Sequence, residues 1–367
     1  MRKIIAVLLI AALLMPVANA EALNPPELSA ASAILVDGES GRVLYEKNAM
    51  EPRAIASITK LMTALIAMEC VENLADEVEI KTEWTGIEGS SIYLRPGERI
   101  TVEGLLYGLL LQSGNDAAVA IAGHCAGSMD AFVERMNMKA CELGMTQTRF
   151  QDPHGLSEEN HYSTAYDMAL LGRACSDNDL IVEIMSTRSK TIGTRTFVNH
   201  NKLLWLYDNC TGMKTGYTRK AGRTLVSSAE QNGQTLIAVT LNAPDDWNDH
   251  KKLFEYGFQH YSKSVLCTEG ETVKRIPVHG SLVTFVPVVT ADEICYPLLD
   301  SENVTAHVTL PESLEAPIEQ GMVLGEVSYF LAGQSIGKTD LIAGYGVNRE
   351  MLHRRSVLEK IMDLFLN

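Results

Sequence analysis

Strand-like runs bracket a long helical block in this chain, and that arrangement restricts the fold more than any other feature. Ala33-Ile34-Leu35-Val36 and Val43-Leu44-Tyr45 flank Asp37-Gly38-Glu39-Ser40-Gly41, a hairpin signal. Helix-like segments follow over residues 57–71, 102–111, 117–124, 129–143 and 164–175. Strand character returns at 223–229 and 235–242, around Asn232-Gly233, and a helix over 245–261 closes the unit. Strands at both ends of a helical block predict one α+β domain whose sheet joins distant parts of the chain.

From about residue 272 the texture changes. Short β-rich runs at 273–278, 282–289, 293–299, 304–310, 323–331 and 334–342 predict a small all-β domain, a spacer or docking module. The last segment, 347–367, reads as an amphipathic helix. Met351, Leu352, Val357, Leu358, Ile361, Met362, Leu364 and Phe365 form its stripe, and Arg349, Arg354, Arg355 and Lys360 its polar face. The reading taken is a helix at a membrane interface, the alternative one packed on the β domain or on another copy.

At the other end, Arg2 and Lys3 precede an apolar run over 4–15, and Ala18-Asn19-Ala20 supplies small residues for cleavage, which predicts a secretory leader. The expected layout is a signal peptide at 1–20, a catalytic domain at 21–262, a β-rich domain at 272–345 and an amphipathic helix at 346–367. The chain is expected outside the cytoplasm, attached to the outer face of the cytoplasmic membrane. A net charge of −15 without a basic stripe argues against nucleic acid as a partner. Seven cysteines, an odd number without a pairing pattern, argue against a disulfide scaffold and for free thiols.

Three short motifs carry chemistry. Ala56-Ser57-Ile58-Thr59-Lys60-Leu61 opens an apolar helix, where residues three apart are neighbours, so Lys60 can reach Ser57. A lysine desolvated there titrates lower and can serve as a general base. The second match to the pattern, Ser335-Ile336-Gly337-Lys338, falls in a strand, where such a pair faces opposite sides. Gln112-Ser113-Gly114-Asn115 puts a hydroxyl and a carboxamide at a helix junction. The hydroxyl can relay protons, and the amide can bind both a carbonyl and a lysine. Ser176-Asp177-Asn178 and Ser301-Glu302-Asn303 repeat the pattern in polar stretches that read as solvated loops. Lys214-Thr215-Gly216-Tyr217 puts a cation, a hydroxyl and a glycine at a strand edge, a dock for a peptide ending in a carboxylate. Lys-Thr recurs at Lys81, Lys190 and Lys338, but only here does glycine follow.

In this order the three motifs resemble the Ser-x-x-Lys, Ser-x-Asn and Lys-Thr-Gly set of penicillin-binding proteins and serine β-lactamases. Asp152-Pro153-His154-Gly155-Leu156 and Tyr162-Ser163-Thr164-Ala165-Tyr166-Asp167 narrow the resemblance to low-molecular-mass serine D-alanyl-D-alanine carboxypeptidases. The resemblance implies an antiparallel sheet with helices on both sides, peptidoglycan stem peptides as substrates and β-lactams as covalent inhibitors, with no metal or other cofactor. It further implies Ser57 as nucleophile, Lys60 as its base and Ser113 as proton relay. Asn115, Lys214, Thr215, Gly216 and Tyr217 would bind substrate, with the Ser57 and Tyr217 N–H groups as oxyanion hole. Some members carry an arginine where this chain has Thr235, and Arg219 and Arg223 are the candidates to replace it.

The competing readings are weaker. A β-lactamase of the commonest class needs a Glu-x-x-Leu-Asn pattern, which is absent. Tyr207-Asp208-Asn209 resembles another class's tyrosine motif but precedes Lys214 instead of replacing Ser113. Asp152, His154 and His161 suggest a zinc peptidase but lack a His-Glu-x-x-His helix. A cross-link endopeptidase on the same scaffold, or an inactive wall-binding protein, completes the alternatives.

Overall fold

The computed structural model describes residues 24–157 and 159–349. The leader read at 1–20 lies outside the described residues, as does the terminal helix apart from residues 346–349. Among the described residues no helix is long and apolar enough to cross a membrane.

The hairpin of β1 (Ser32–Asp37) and β2 (Val43–Lys47) leads into α1 (Lys60–Cys70) and a small ribbon, β3 (Glu77–Glu79) with β4 (Arg99–Thr101). The helical block continues with α2 (Val102–Leu110), α3 (Asn115–Ala126), α4 (Met129–Glu142), α5 (Ala165–Ser176) and α6 (Asp179–Ser186). A second ribbon, β5 (Ser189–Ile192) with β6 (Arg195–Val198), and the short α7 (Leu203–Leu206) precede three long strands. These are β7 (Cys210–Thr218), β8 (Gly222–Gln231) and β9 (Gln234–Leu241), and α8 (Asp246–His260) follows.

The main sheet runs β2-β1-β9-β8-β7, antiparallel throughout. β1 pairs along its length with β9, so the sheet joins the two ends of the domain. Strand alternation divides its side chains between two cores. Ile34, Val36, Ile237, Val239 and Leu241 pack into the helical block, while Leu35, Leu236 and Ala238 meet Leu253 and Phe254 of α8. Because both faces are covered, β1 is buried at every position, and its near-continuous apolar sequence follows.

The second unit contains β10 (Ser262–Cys267), β11 (Thr272–His279), β12 (Phe285–Thr290), β13 (Ile294–Leu298), β14 (Val304–Thr309), β15 (Leu314–Glu315), β16 (Val323–Leu331) and β17 (Gln334–Ala343). They form a six-stranded sheet, β14-β16-β17-β12-β11-β15, and the pair β10-β13. Two small apolar cores hold it, around Ile276, Val288 and Leu341 and around Val286, Ile318 and Val347.

Arg42, in the β1–β2 hairpin, ties the two units together. Its guanidinium donates to both Glu302 carboxylate oxygens, at 2.5 and 2.8 Å, and to the Pro297 carbonyl, and lies against the rings of Tyr261 and Tyr296. Glu302, which reads in sequence as part of a solvated loop, is therefore an anchor. The hydrogen bonds from Arg42 hold its carboxyl below the ordinary carboxylate range.

Glu302→Ala leaves the Arg42 cation without its partner and should lower stability by about 1–3 kcal/mol in urea unfolding at neutral pH. A carboxyl with a depressed folded-state pKa stabilises above the unfolded value and ceases to do so as pH falls through the folded one. The difference from wild type should therefore disappear in acid below the ordinary carboxylate range. An unchanged urea midpoint at neutral pH would show that the units dock without this pair.

Candidate active site

Ser57 lies in a 3-10 turn, Ala56–Thr59, directly ahead of α1. Two glycine backbones grip this turn. A side chain on Gly155, which has φ +86°, would collide with the Ala56 carbonyl, and one on Gly216 would come within 3.0 Å of the Ser57 nitrogen. Thr224 Oγ1 donates to the Ile55 carbonyl at 2.9 Å from the neighbouring strand. Inside the turn, Thr59 Oγ1 donates to the Ala56 carbonyl, so it accepts from His161 Nε2 at 2.8 Å. His161 Nδ1 in turn accepts the Gln151 N–H. These bonds specify a neutral imidazole, in keeping with burial, which pushes its pKa down to about 4.

Lys60, the first residue of α1, is fully buried. Its Nζ lies 3.0 Å from Ser57 Oγ, 2.7 Å from Asn115 Oδ1 and 2.8 Å from the His154 carbonyl oxygen. All three partners are neutral. Burial first, then the Lys214 charge, lower the amine well below its ordinary range, and Asp152 and Asp116 oppose the shift in part. A neutral amine has two N–H bonds and one lone pair. The two carbonyl-type oxygens can only accept, so they take both N–H bonds and leave the lone pair for the Ser57 hydroxyl.

Each of those acceptors is held from behind. Asn115 Nδ2 donates to the Glu88 carbonyl at 2.6 Å, which fixes the amide with Oδ1 toward Lys60. Asp116 accepts from Ser91 Oγ and the N–H groups of Ile92 and Leu94, tying the 88–94 loop to the start of α3. Asp152 accepts from the N–H groups of His154, Gly155 and Ser157, which fixes the His154 carbonyl. Burial raises the Asp152 carboxyl, but the hydrogen bond and charge of His154 outweigh it and hold the group far below the ordinary range. Asp152 opens the Asp-Pro-His-Gly-Leu segment and Asp116 directly follows Asn115, but nothing in the sequence pointed to these supporting contacts.

Ser113 occupies the turn between α2 and α3 with φ +60° and is nearly buried. Lys214 is buried in β7, where its Nζ donates to the Thr215 carbonyl at 2.8 Å, and burial pushes its amine down to about 7. A cleft of about 470 Å³ opens above these groups, lined by Ser57, Ser113, Thr215, Gly216 and Tyr217. Lys60, Asn115 and Lys214 stand behind its wall. The three motifs, far apart in sequence, thus surround one cavity, and the Lys-Thr-Gly segment lies on β7, the edge strand of the sheet.

The other sequence candidates fall elsewhere. Lys338 is exposed on β17 and paired with Glu326 at 3.4 Å. Asn178 caps α6 by accepting the Ile181 N–H. Asp152 and His161 are committed to the hydrogen bonds above, and no group of three metal-ligating side chains occurs among the described residues. Thr235 needs a correction. It is the second residue of β9, at the end remote from the cleft and opposite Glu230, and its carbonyl accepts from Gly38, so that position cannot read a substrate carboxylate. Of the two arginines, Arg219 is exposed outside the cleft wall while Arg223 lines it. Arg223 Nε donates to Asp246 Oδ1 at 2.9 Å, and its guanidinium lies over the Trp247 ring.

Known proteins resemble this chain along most of its length. The family described as D-alanyl-D-alanine carboxypeptidase matches residues 19–245, and the penicillin-binding protein 5 C-terminal domain matches 261–349. The chain is similar to the D-alanyl-D-alanine carboxypeptidase DacF of Bacillus subtilis, with 34% identity over 86% of this chain and 85% of the relative. It is 37% identical to DacC of Escherichia coli, over 88% of this chain and 85% of that one. The crystal structure of penicillin-binding protein 5 from Haemophilus influenzae superposes with a TM-score of 0.75 at 31% identity, over 89% of this chain and 99% of that one. The match over most of the chain and the identity to these relatives show that the chain is a member of the serine D-alanyl-D-alanine carboxypeptidase family.

Proposed function

We propose that Ser57 attacks the carbonyl between two terminal D-alanines of a peptidoglycan stem peptide while neutral Lys60 takes its proton. The observation that carries this reading is the Lys60 amine, wholly buried among neutral acceptors and 3.0 Å from the Ser57 hydroxyl. The Ser57 and Tyr217 N–H groups stabilise the oxyanion. As the C–N bond breaks, Ser113 and Lys214 deliver a proton to the departing D-alanine nitrogen. Asn115 holds the substrate amide as well as Lys60. Water then releases the shortened peptide from Ser57, and β-lactams, which imitate the terminal dipeptide, acylate the same oxygen.

The substrate carboxylate is held by Lys214, Thr215 and Arg223. Support for Arg223 comes from its place on β8, opposite Tyr217 in register, and from its orientation by Asp246 and Trp247 in the cleft wall. Export by the leader and attachment of residues 346–367 to the outer face of the cytoplasmic membrane complete the reading. The polar-face cations and apolar stripe of that segment support the attachment.

Wild-type enzyme should release D-alanine from a diacyl-L-Lys-D-Ala-D-Ala tripeptide, and Lys60→Ala should lower kcat/KM by about 10²–10⁴-fold. Stoichiometric penicillin labelling of wild type without D-alanine release would favour the endopeptidase reading. Burial lowers both amines and the Lys214 charge lowers Lys60 further, so the neutral state is assigned to Lys60 and the charge to Lys214. The working state, neutral Lys60 with charged Lys214, is bounded below by protonation of Lys60 and above by loss of the Lys214 proton near pH 7. The profile of kcat/KM should be bell-shaped, with its acid limb displaced upward in Lys214→Gln; an unmoved limb would detach Lys214 from Lys60.

Arg223→Gln should raise KM at least about tenfold for the free-acid tripeptide and far less for its C-terminal amide, because an arginine–carboxylate contact is lost. Equal effects on both substrates would exclude the carboxylate role. For the terminal segment, mature protein should sediment with vesicles containing anionic lipid, and a variant lacking residues 346–367 should not. Identical partitioning of the two would remove the anchor.

A further inference from the structure

Two helices begin at the candidate active site and end at a pair of thiols. α1 starts with Lys60 and finishes with Cys70, while α3 starts with Asn115 and carries Cys125 one position before its end. Each interval is about ten residues, or about 15 Å of helix. At the leading ends Lys60 donates to Asn115 at 2.7 Å. At the trailing ends one nitrogen of Arg135, on α4, donates both to Cys70 Sγ at 3.1 Å and to the Cys125 carbonyl at 3.2 Å. Contact at both ends and equal spacing mean that the helices run side by side in the same direction and bring Cys70 and Cys125 together.

We infer that Cys70 and Cys125 form a redox-responsive dithiol, which low-molecular-weight organic disulfides convert to a disulfide joining the trailing ends of α1 and α3. All seven cysteines are unlinked in this structure. The two thiols are partly accessible, and a hollow of about 220 Å³ lined by Ile66, Cys70, Arg135 and Lys139 gives a small disulfide access to Cys70. Cys70, which lines that hollow and carries the Arg135 cation on its sulfur, is the attacking group, while burial, and then the adjacent Cys70 sulfur, push the Cys125 thiol up to about 12.

In the first step Cys70, its proton given to solvent, attacks one sulfur of the organic disulfide. A mixed disulfide forms and one thiolate leaves. Cys125 then loses its proton to solvent and attacks the Cys70 sulfur, expelling the second thiolate. Two protein thiols are oxidised, one disulfide is reduced to two thiols, and the two protons end on the departing sulfurs. None of these residues takes part in the proposed peptide chemistry, so the test does not depend on that reading.

The test is to equilibrate the mature full chain with glutathione buffers of increasing oxidised fraction, quench in acid, alkylate and map the peptides by mass spectrometry. The expected result is a cross-linked peptide containing Cys70 and Cys125, in step with a rise in Tm on the order of 5–10 °C. Cys125→Ser should stop at a glutathione adduct on Cys70, and Cys70→Ser should lose both the cross-link and the Tm shift. Alkylation of both cysteines across the whole wild-type series would overturn the inference. So would a wild-type adduct on Cys70 that never resolves, or a cross-link from Cys70 to a different cysteine. The wild-type map is decisive by itself if either variant fails to fold.

Discussion

A primary amine kept from water without a carboxylate bonded to it is the interaction on which this site rests. Removing an ammonium from solvent is costly unless a counter-charge or a lost proton compensates. Here the Lys60 hydrogen bonds go only to a hydroxyl, an amide and a peptide carbonyl. Two carboxylates stand nearby, Asp116 and Asp152, and both would favour the charged lysine. The structure occupies them with N–H groups of the loops they organise. Their negative charge therefore shapes the walls of the site while leaving the amine short of a direct ion pair.

The rest of the catalytic domain keeps that amine in place. Gly155 and Gly216 allow backbone to press on the Ser57 turn from the 152–157 loop and from β7, where any larger residue would force it away. α1, α2 and α3 bury their apolar residues in one core with the inner face of the sheet, so packing fixes the backbones that carry Lys60, Ser113 and Asn115, and hydrogen bonds orient the Lys60 and Asn115 side chains. The neutral His161–Thr59 pair belongs to this frame. It resembles catalytic chemistry in sequence and acts in the structure as a hydrogen-bonded strut.

Much of this was legible in the sequence, for physical reasons that differ by element. α4 and α8 alternate apolar and polar faces, α1 is a near-continuous apolar run long enough to read as a helix, and β9 is rich in β-branched residues. β7 was missed as a strand because Thr211-Gly212-Met213-Lys214-Thr215-Gly216 has little intrinsic β preference and is extended by pairing with β8. α6 and the β5–β6 ribbon were missed because short elements give few positions to test. The motif order was readable, and Arg223 was one of two arginines singled out, but the supporting contacts of Glu302, Asp152 and Asp116 were not. Glu302 and Asp116 depend on partners distant in the chain, Asp152 on a loop conformation that its sequence does not spell out, and Thr235 lies at the end of its strand remote from the cleft. The thiol pair was hidden for the same reason, since nothing local says that α1 and α3 lie side by side.

The pairing of β1 with β9 has a consequence for biogenesis. β1 is enclosed by β2 and β9, and its second partner is not synthesised until residue 241 has been added. Contacts of such long sequence separation form late, after most of the loop entropy has been lost. A chain emerging amino-terminus first, from a ribosome or a translocation pore, would expose Ile34, Leu35 and Val36 with only a hairpin to shelter them. The catalytic domain therefore cannot close until its last strand arrives, and its sheet is completed only after nearly the whole domain has been made.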